Sequence, residues 1–124
     1  MERKNSGSYK DLLVWQKSID LVSNIYALTN KFPKAETFGS ISQMQRAAVA
    51  IPSNIAEGQK RAHKKEFLQS LYINYSSGAE LETQIEICKR LHKLKELDYT
   101  AIESNLETIM KMLNSLIRSL KNSL

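Results

Sequence analysis

Between Leu12 and Phe32 the apolar residues recur at three- and four-residue steps along two separate lines. Leu12, Trp15, Ile19, Val22 and Tyr26 form one; Val14, Leu21, Ile25, Leu28 and Phe32 form the other. Both have the helical period and together predict a first helix over about 10–32, stopped by Pro33. A bundle core uses one apolar stripe per helix. A second stripe predicts burial on a second side, most simply against another subunit, and Ile25 and Leu28 are read as members of that outer line.

After a connection from Lys34 to Gly39, a second helix is expected over about 40–57, with Ser40 and Gln43 as a capping box. Ile41, Met44, Ala48, Ile51 and Ile55 share one face, while Ala47, Ala50, Ser53 and Ala56 keep the others small enough for close helix approach. Pro52 lies inside this pattern. There it removes a backbone donor and crowds the carbonyl four residues back, which costs about 3 kcal/mol in an ordinary helix interior. The unbroken period predicts a helix kinked at Pro52; the alternative is a helix ending at Ile51, with a separate turn starting at Pro52. Gly58 reads as the C′ residue, in the positive-φ conformation that closes many helices.

A third helix is expected over about 63–94. Its main stripe is Phe67, Leu71, Gly78, Leu81, Ile85 and Cys88; a second, partly polar one is Ile73, Ser77, Glu80, Gln84, Ile87 and Leu91. Asp98, or Thr100 with Glu103, caps a fourth helix over about 100–122. There Ile102, Leu106, Ile109, Leu113, Leu116 and Leu120 alternate four and three residues apart, the seam of a helical bundle. Short connections make successive helices antiparallel. The fold class is all-α: an up-down antiparallel four-helix bundle, kinked in its second helix at Pro52, over residues 10–124 behind a disordered polar tail of residues 1–9.

Composition adds mostly exclusions. The 124 residues suit one domain, and 4 Gly and 2 Pro without alternating segments argue against strands. Cys88 has no disulfide partner in the chain and sits on a core stripe, so it reads as a small buried hydrophobe before a reactive thiol. No apolar run approaches the ~20 residues of a membrane span and no signal core follows Met1, so a cytoplasmic protein is expected, with no membrane association. Bundle metal sites use inward Glu-x-x-His pairs, but Lys60 and Lys89 stand three residues before His63 and His92. Phosphate-loop and nucleophile-elbow glycine patterns are missing too. The expectation is no enzyme, no metal and no cofactor.

Two polar features remain. Gln43, Arg46, Asn54 and Glu57 on the second helix, with Glu80 and Gln84 on the third, lie in or beside the apolar stripes. They form either a structural polar network, with a buried Arg46 paired to Glu80 or Glu57, or a solvated face. The other feature is the formal charge of +5. An up-down bundle gathers Arg3, Lys4, Lys10, Lys60, Arg61, Lys64, Lys65, Arg118 and Lys121 at one pole, against Glu2, Asp11, Glu57 and Glu66. Lys60, Arg61, Lys64, Lys65, Arg118 and Lys121 are the candidate nucleic-acid-binding residues. With no aromatics interleaved, their contacts would go to phosphates rather than bases. A merely solvated helix end is the plain alternative.

Several blocks occur in the order of a known family: Asp11-Leu12-Leu13-Val14-Trp15-Gln16-Lys17, Lys31-Phe32-Pro33 with Glu36 and Phe38-Gly39, Gln43 with Arg46-Ala47-Ala48, Ile51-Pro52-Ser53-Asn54-Ile55-Ala56-Glu57-Gly58, and Glu80-Leu81-Glu82-Thr83-Gln84. Over nearly its whole length the chain resembles the four-helix-bundle proteins encoded in intervening sequences of bacterial 23S ribosomal RNA genes. Departures are Ser40, Ala50, Asn74 and Ser76, where leucine, serine, alanine and glycine are usual. The resemblance implies a homopentamer, in keeping with the second stripe on the first helix. Through the related accessory variability determinants of diversity-generating retroelements, it also implies RNA or DNA and a reverse transcriptase-type protein as partners. It implies no catalytic residues. Two function classes follow: a nucleic-acid-binding oligomer acting through its basic pole, or a protein-interaction scaffold whose charge is incidental.

Overall fold

Four helices take up the apolar periods: α1 (Leu13–Thr29), α2 (Ser42–Gln59), α3 (Lys64–Cys88) and α4 (Thr100–Asn122). The computed structural model describes residues 8–124, so most of the tail expected to be disordered lies outside the described residues. Among the described residues there is no strand.

Each helix packs on the next, and α4 closes back onto α1. The cross-helix pairs run in opposite directions along neighbours. Gln45 of α2 bonds to Thr29 near the end of α1. Met44 meets Cys88 while Gly58 meets Ser70. Lys89 pairs with Glu103 while Lys64 reaches Ser123. For α2 with α3 and for α3 with α4 these pairs set the order of residues along one helix against that along the next.

In α1 the line Val14, Leu21, Ile25, Leu28 and Phe32 is the buried one. The other is left half covered: Leu12, Trp15 and Val22 are half-buried, and Ile19 and Tyr26 are 39% and 46% exposed. Ile25 and Leu28 are therefore core residues, and the outer stripe is the one from Leu12 to Tyr26. Periodicity could not rank two equally apolar lines. Ser18 and Thr29 take the core side because they satisfy themselves, Ser18 donating to the Trp15 carbonyl at 2.7 Å and Thr29 to that of Ile25 at 2.9 Å. The helix also starts late: Tyr9–Asp11 is a 3₁₀ turn, and Leu12 is extended at φ −76°, ψ 126°.

α2 runs unbroken through Pro52, which is itself buried beside Met44, Ala47, Ala48, Ile51 and Ile55. A helix ending at Ile51 is ruled out. The expected Ser40–Gln43 capping box does not form, because a π-type turn over Thr37–Ile41 precedes α2 and no side chain caps it. Gly58 is not a left-handed C′ residue either: no described glycine has a positive φ, and the helix continues to Gln59. A Cβ built on Gly58 would stand 2.5 Å from the Ser70 Cβ. Close approach of α2 and α3, rather than backbone conformation, demands this glycine.

α3 stops at Cys88, short of Leu94. Its partner α2 begins at Ser42, level with Gln84 and Cys88. A longer α3 would run past the start of α2. The chain instead folds back through residues 89–99 and buries Leu94 and Tyr99, the Tyr99 hydroxyl donating to the Leu94 carbonyl at 2.8 Å. Burial pushes both the Cys88 thiol and the Tyr99 hydroxyl up from their ordinary pKa values. Asp98 accepts from the Thr100 N–H at 2.9 Å ahead of α4, and that contact holds its carboxyl below the usual range. Thr100 is the first helical residue rather than a cap, and Glu103 pairs with Lys89 at 2.8 Å in place of a capping box. In α4 the core is Ile102, Leu106, Ile109, Leu113 and Ile117. Leu116 and Leu120 drift to a half-buried edge, because a straight helix turns about 20° per heptad away from a strict 3.5-residue seam.

Asn74 is fully buried on α3, and neither of its side-chain polar atoms has a partner.

Candidate nucleic-acid interface

The turn between α2 and α3 is the densest run of positive charge. α2 ends as the Lys60 N–H bonds the Ala56 carbonyl at 3.2 Å, and the Arg61 N–H bonds that of Gly58 at 3.1 Å. His63 is extended at φ −121°, ψ 142°, and α3 starts again at Lys64. Lys60, Arg61, Lys64 and Lys65 are therefore carried on one helix end, a tight turn and the next helix's first turn, all exposed. The first-turn amides of α3 add a partial positive field at the same point.

Tertiary contacts bring the rest of the pole alongside. The Lys64 ammonium lies 3.5 Å from the Ser123 hydroxyl, which draws the end of α4, with Lys121, next to the start of α3. The Lys60 ammonium sits 5.8 Å from the centre of the Tyr9 ring, itself edge-on to Trp15, which brings in the start of the chain and Lys10. Arg118 is exposed one turn further from the tip. The Tyr9 and Ser123 contacts were not legible in the sequence, since each joins residues more than fifty positions apart.

Among described residues the pole holds seven cations (Lys10, Lys60, Arg61, Lys64, Lys65, Arg118, Lys121) and three carboxylates (Asp11, Glu57, Glu66), a net +4. Arg3, Lys4 and Glu2 lie outside the described residues. Only Arg61 has an ion-pair partner among these, Glu57 at 3.7 Å, with both side chains more than half exposed. Such a pair contributes little and yields readily to a competing phosphate.

The six polar-network residues are only partly brought together. The Gln84 amide donates to Gln43 at 3.5 Å and to Glu80 at 3.3 Å, both long bonds, and the Gln84 Oε1 is buried without a partner. Arg46, Glu57 and Glu80 are exposed and Asn54 is half-buried. Glu57 turns to Arg61, and among the described residues none pairs with Arg46. Among the described residues the buried Arg46–carboxylate pair is thus not formed.

Among the described residues no group of three His, Cys, Asp or Glu side chains converges to hold a metal ion, and no helix is long and apolar enough to cross a membrane. No curated protein gives a significant match to the chain. The family model of the 23S rRNA-intervening sequence protein matches residues 10–115, from the first turn into the last helix, and the chain belongs to that family.

Proposed function

We propose that this protein is a non-enzymatic homo-oligomer that holds RNA or DNA by the phosphate backbone through the pole formed by Lys60, Arg61, Lys64, Lys65, Arg118 and Lys121. The observation that carries the reading is the convergence of three helix ends on one exposed cluster of net positive charge. Contacts of this kind fix orientation and carry no sequence information. Oligomer formation is supported by the outer face of α1, where Ile19 is exposed and Trp15 and Val22 are half-buried. Val49, 38% exposed, adds an apolar side chain on α2 one turn after Gln45, which bonds to Thr29 of α1. In a pentamer, as the family implies, the cluster would repeat around a ring and a weak single-site attraction would become avidity.

Retention of labelled RNA and DNA on the purified protein, measured across a salt series, tests this. For duplex DNA the slope of log affinity against log salt should be about −0.9 per phosphate neutralised. Changing Lys60, Arg61, Lys64 and Lys65 together to Glu should abolish retention while light scattering reports an unchanged mass. Retention that survives the change, or is missing even at low salt, would favour a protein-interaction scaffold.

A further inference from the structure

At the end of the bundle away from the basic pole, the end of α1, the following loop and the start of α2 line an open groove of about 600 Å³. Small-molecule sites occupy about 300–1,000 Å³. Its walls combine three chemistries. Phe32 and Ile41 contribute apolar lining, and Tyr26, 46% exposed, an aromatic ring. Asn30 and Gln45 supply carboxamides, and Lys34 a cation.

The Gln45 carboxamide is fixed in orientation. The buried Thr29 hydroxyl spends its single proton on the Ile25 carbonyl at 2.9 Å, so it can only accept from Gln45, at 3.1 Å. Gln45 must therefore turn its amide nitrogen to Thr29, which leaves its carbonyl oxygen as a set acceptor and its second N–H as a set donor. Together with the exposed Asn30 amide, this can read the edge of a planar heterocycle. The described lining residues include no carboxylate, so an anionic tail is not repelled.

We propose that this groove holds a nucleobase, stacked on Tyr26, edge-bonded by Gln45 and Asn30, with its phosphate toward Lys34. This goes beyond backbone binding at the opposite pole and does not depend on it; it requires that a subunit contact on α1 reach no further than Val22 and leave the Tyr26 ring open. The base could belong to a free mononucleotide or to an unpaired residue of a single strand; the chemistry recognised is the same.

Equilibrium dialysis of the full chain against AMP, GMP, CMP and UMP, and against single-stranded RNA oligomers, separates the two sources. Saturable binding of a mononucleotide assigns the site to free nucleotides as well; binding only of oligomers, sensitive to Tyr26, assigns it to a strand. Tyr26→Ala should weaken binding roughly tenfold or more, as loss of one aromatic stack does, while Tyr26→Phe should retain it. Gln45→Ala should alter the ranking among the four bases. The Lys60, Arg61, Lys64 and Lys65 to Glu variant should still bind a mononucleotide, so loss of the pole and loss of the pocket read out separately. No binding of any nucleotide or oligomer that depends on Tyr26, with circular dichroism showing the variants folded, overturns the proposal.

Discussion

Replacing Gly58 with alanine sets two effects of opposite sign against each other. Gly58 lies inside α2, where alanine is favoured over glycine by about 1 kcal/mol. Were the site open, the substitution would stabilise the protein. It is not open: the added Cβ would lie 2.5 Å from the Ser70 Cβ, 2.6 Å from its Oγ and 3.2 Å from Cδ1 of Phe67. Carbon atoms pack at about 3.5–4.0 Å. The Ser70 Cβ is bonded to the backbone of α3 and cannot rotate away, so the two helices must part by about 1 Å. Overpacking of that kind costs about 1–3 kcal/mol, and parting also loosens the α2–α3 contact around it. The clash outweighs the propensity gain, and Gly58→Ala should be net destabilising by up to about 2 kcal/mol. Gly78 makes the useful contrast. A Cβ there meets the sulfur of Met110, the far end of a flexible side chain, so Gly78→Ala should cost less and can approach neutrality.

Urea unfolding at one fixed protein concentration would measure both, because the apparent stability of the proposed oligomer depends on concentration. The decisive arm is a double-mutant cycle with Ser70→Gly, which removes the atoms the new methyl would strike. The pair should couple by at least about 1 kcal/mol, the double variant recovering much of the loss. A Gly58→Ala protein as stable as the parent, or a coupling near zero, would show that α2 and α3 are not in contact there.

Three further outcomes are expected. Asn74→Leu replaces a buried amide having no partner with an apolar group of similar size; the urea midpoint should rise, by about 1–3 kcal/mol in free energy, and a fall would mean the amide is satisfied. Ile19→Glu should leave the helical spectrum intact and reduce the mass seen by light scattering, whereas Ile25→Glu, with its side chain fully buried, should prevent folding; the reverse assignment would restore Ile25 to an outer face. Cys88 and Tyr99 are acids whose pKa values are raised on folding, so the unfolded chain loses those protons first; stability should be complete below about pH 9 and decline as pH rises from there, and a flat urea midpoint from pH 8 to 11 would refute it.

The sequence carried the element types and the outline of the core because both rest on period. In α2 every residue of the expected apolar face from Met44 to Ile55 is buried. The polar run at 60–65 was legible for a related reason: its four cations are sequence neighbours, so any fold that joins the two helices by a short turn holds them together. What period could not do was choose between two equally apolar lines on α1. That choice depends on whether Ser18 and Thr29 can be buried, which they manage through bonds to their own backbone. The groove at the far end was not legible at all, since Tyr26, Asn30, Lys34 and Gln45 come from two helices and the loop between them and form no motif along the chain.

The far ends of α2 and α3 share one cause, and it bears on the proposed nucleic-acid surface. Ser40, Gly58 and Thr100 are each the right residue type for a cap, and none serves as one. A cap contributes about 1 kcal/mol. Packing a turn of helix on a neighbour contributes several times that through its buried side chains. α3 therefore ends where α2 gives out, and α2 runs on past Gly58 because α3 lies close enough to hold it. The same extension sets the basic pole. Had α2 closed at Gly58 in a left-handed cap, Lys60 and Arg61 would have left the helix in another direction. As it stands, the closeness of α2 and α3 at Gly58 aims Lys60 at Tyr9 and starts α3 with Lys64 beside Ser123. If that is the origin of the cluster, Gly58→Ala should weaken nucleic-acid retention as well as stability, under conditions where the variant is still folded. Retention equal to the parent's in a destabilised Gly58→Ala protein would separate the helix contact from the charge cluster.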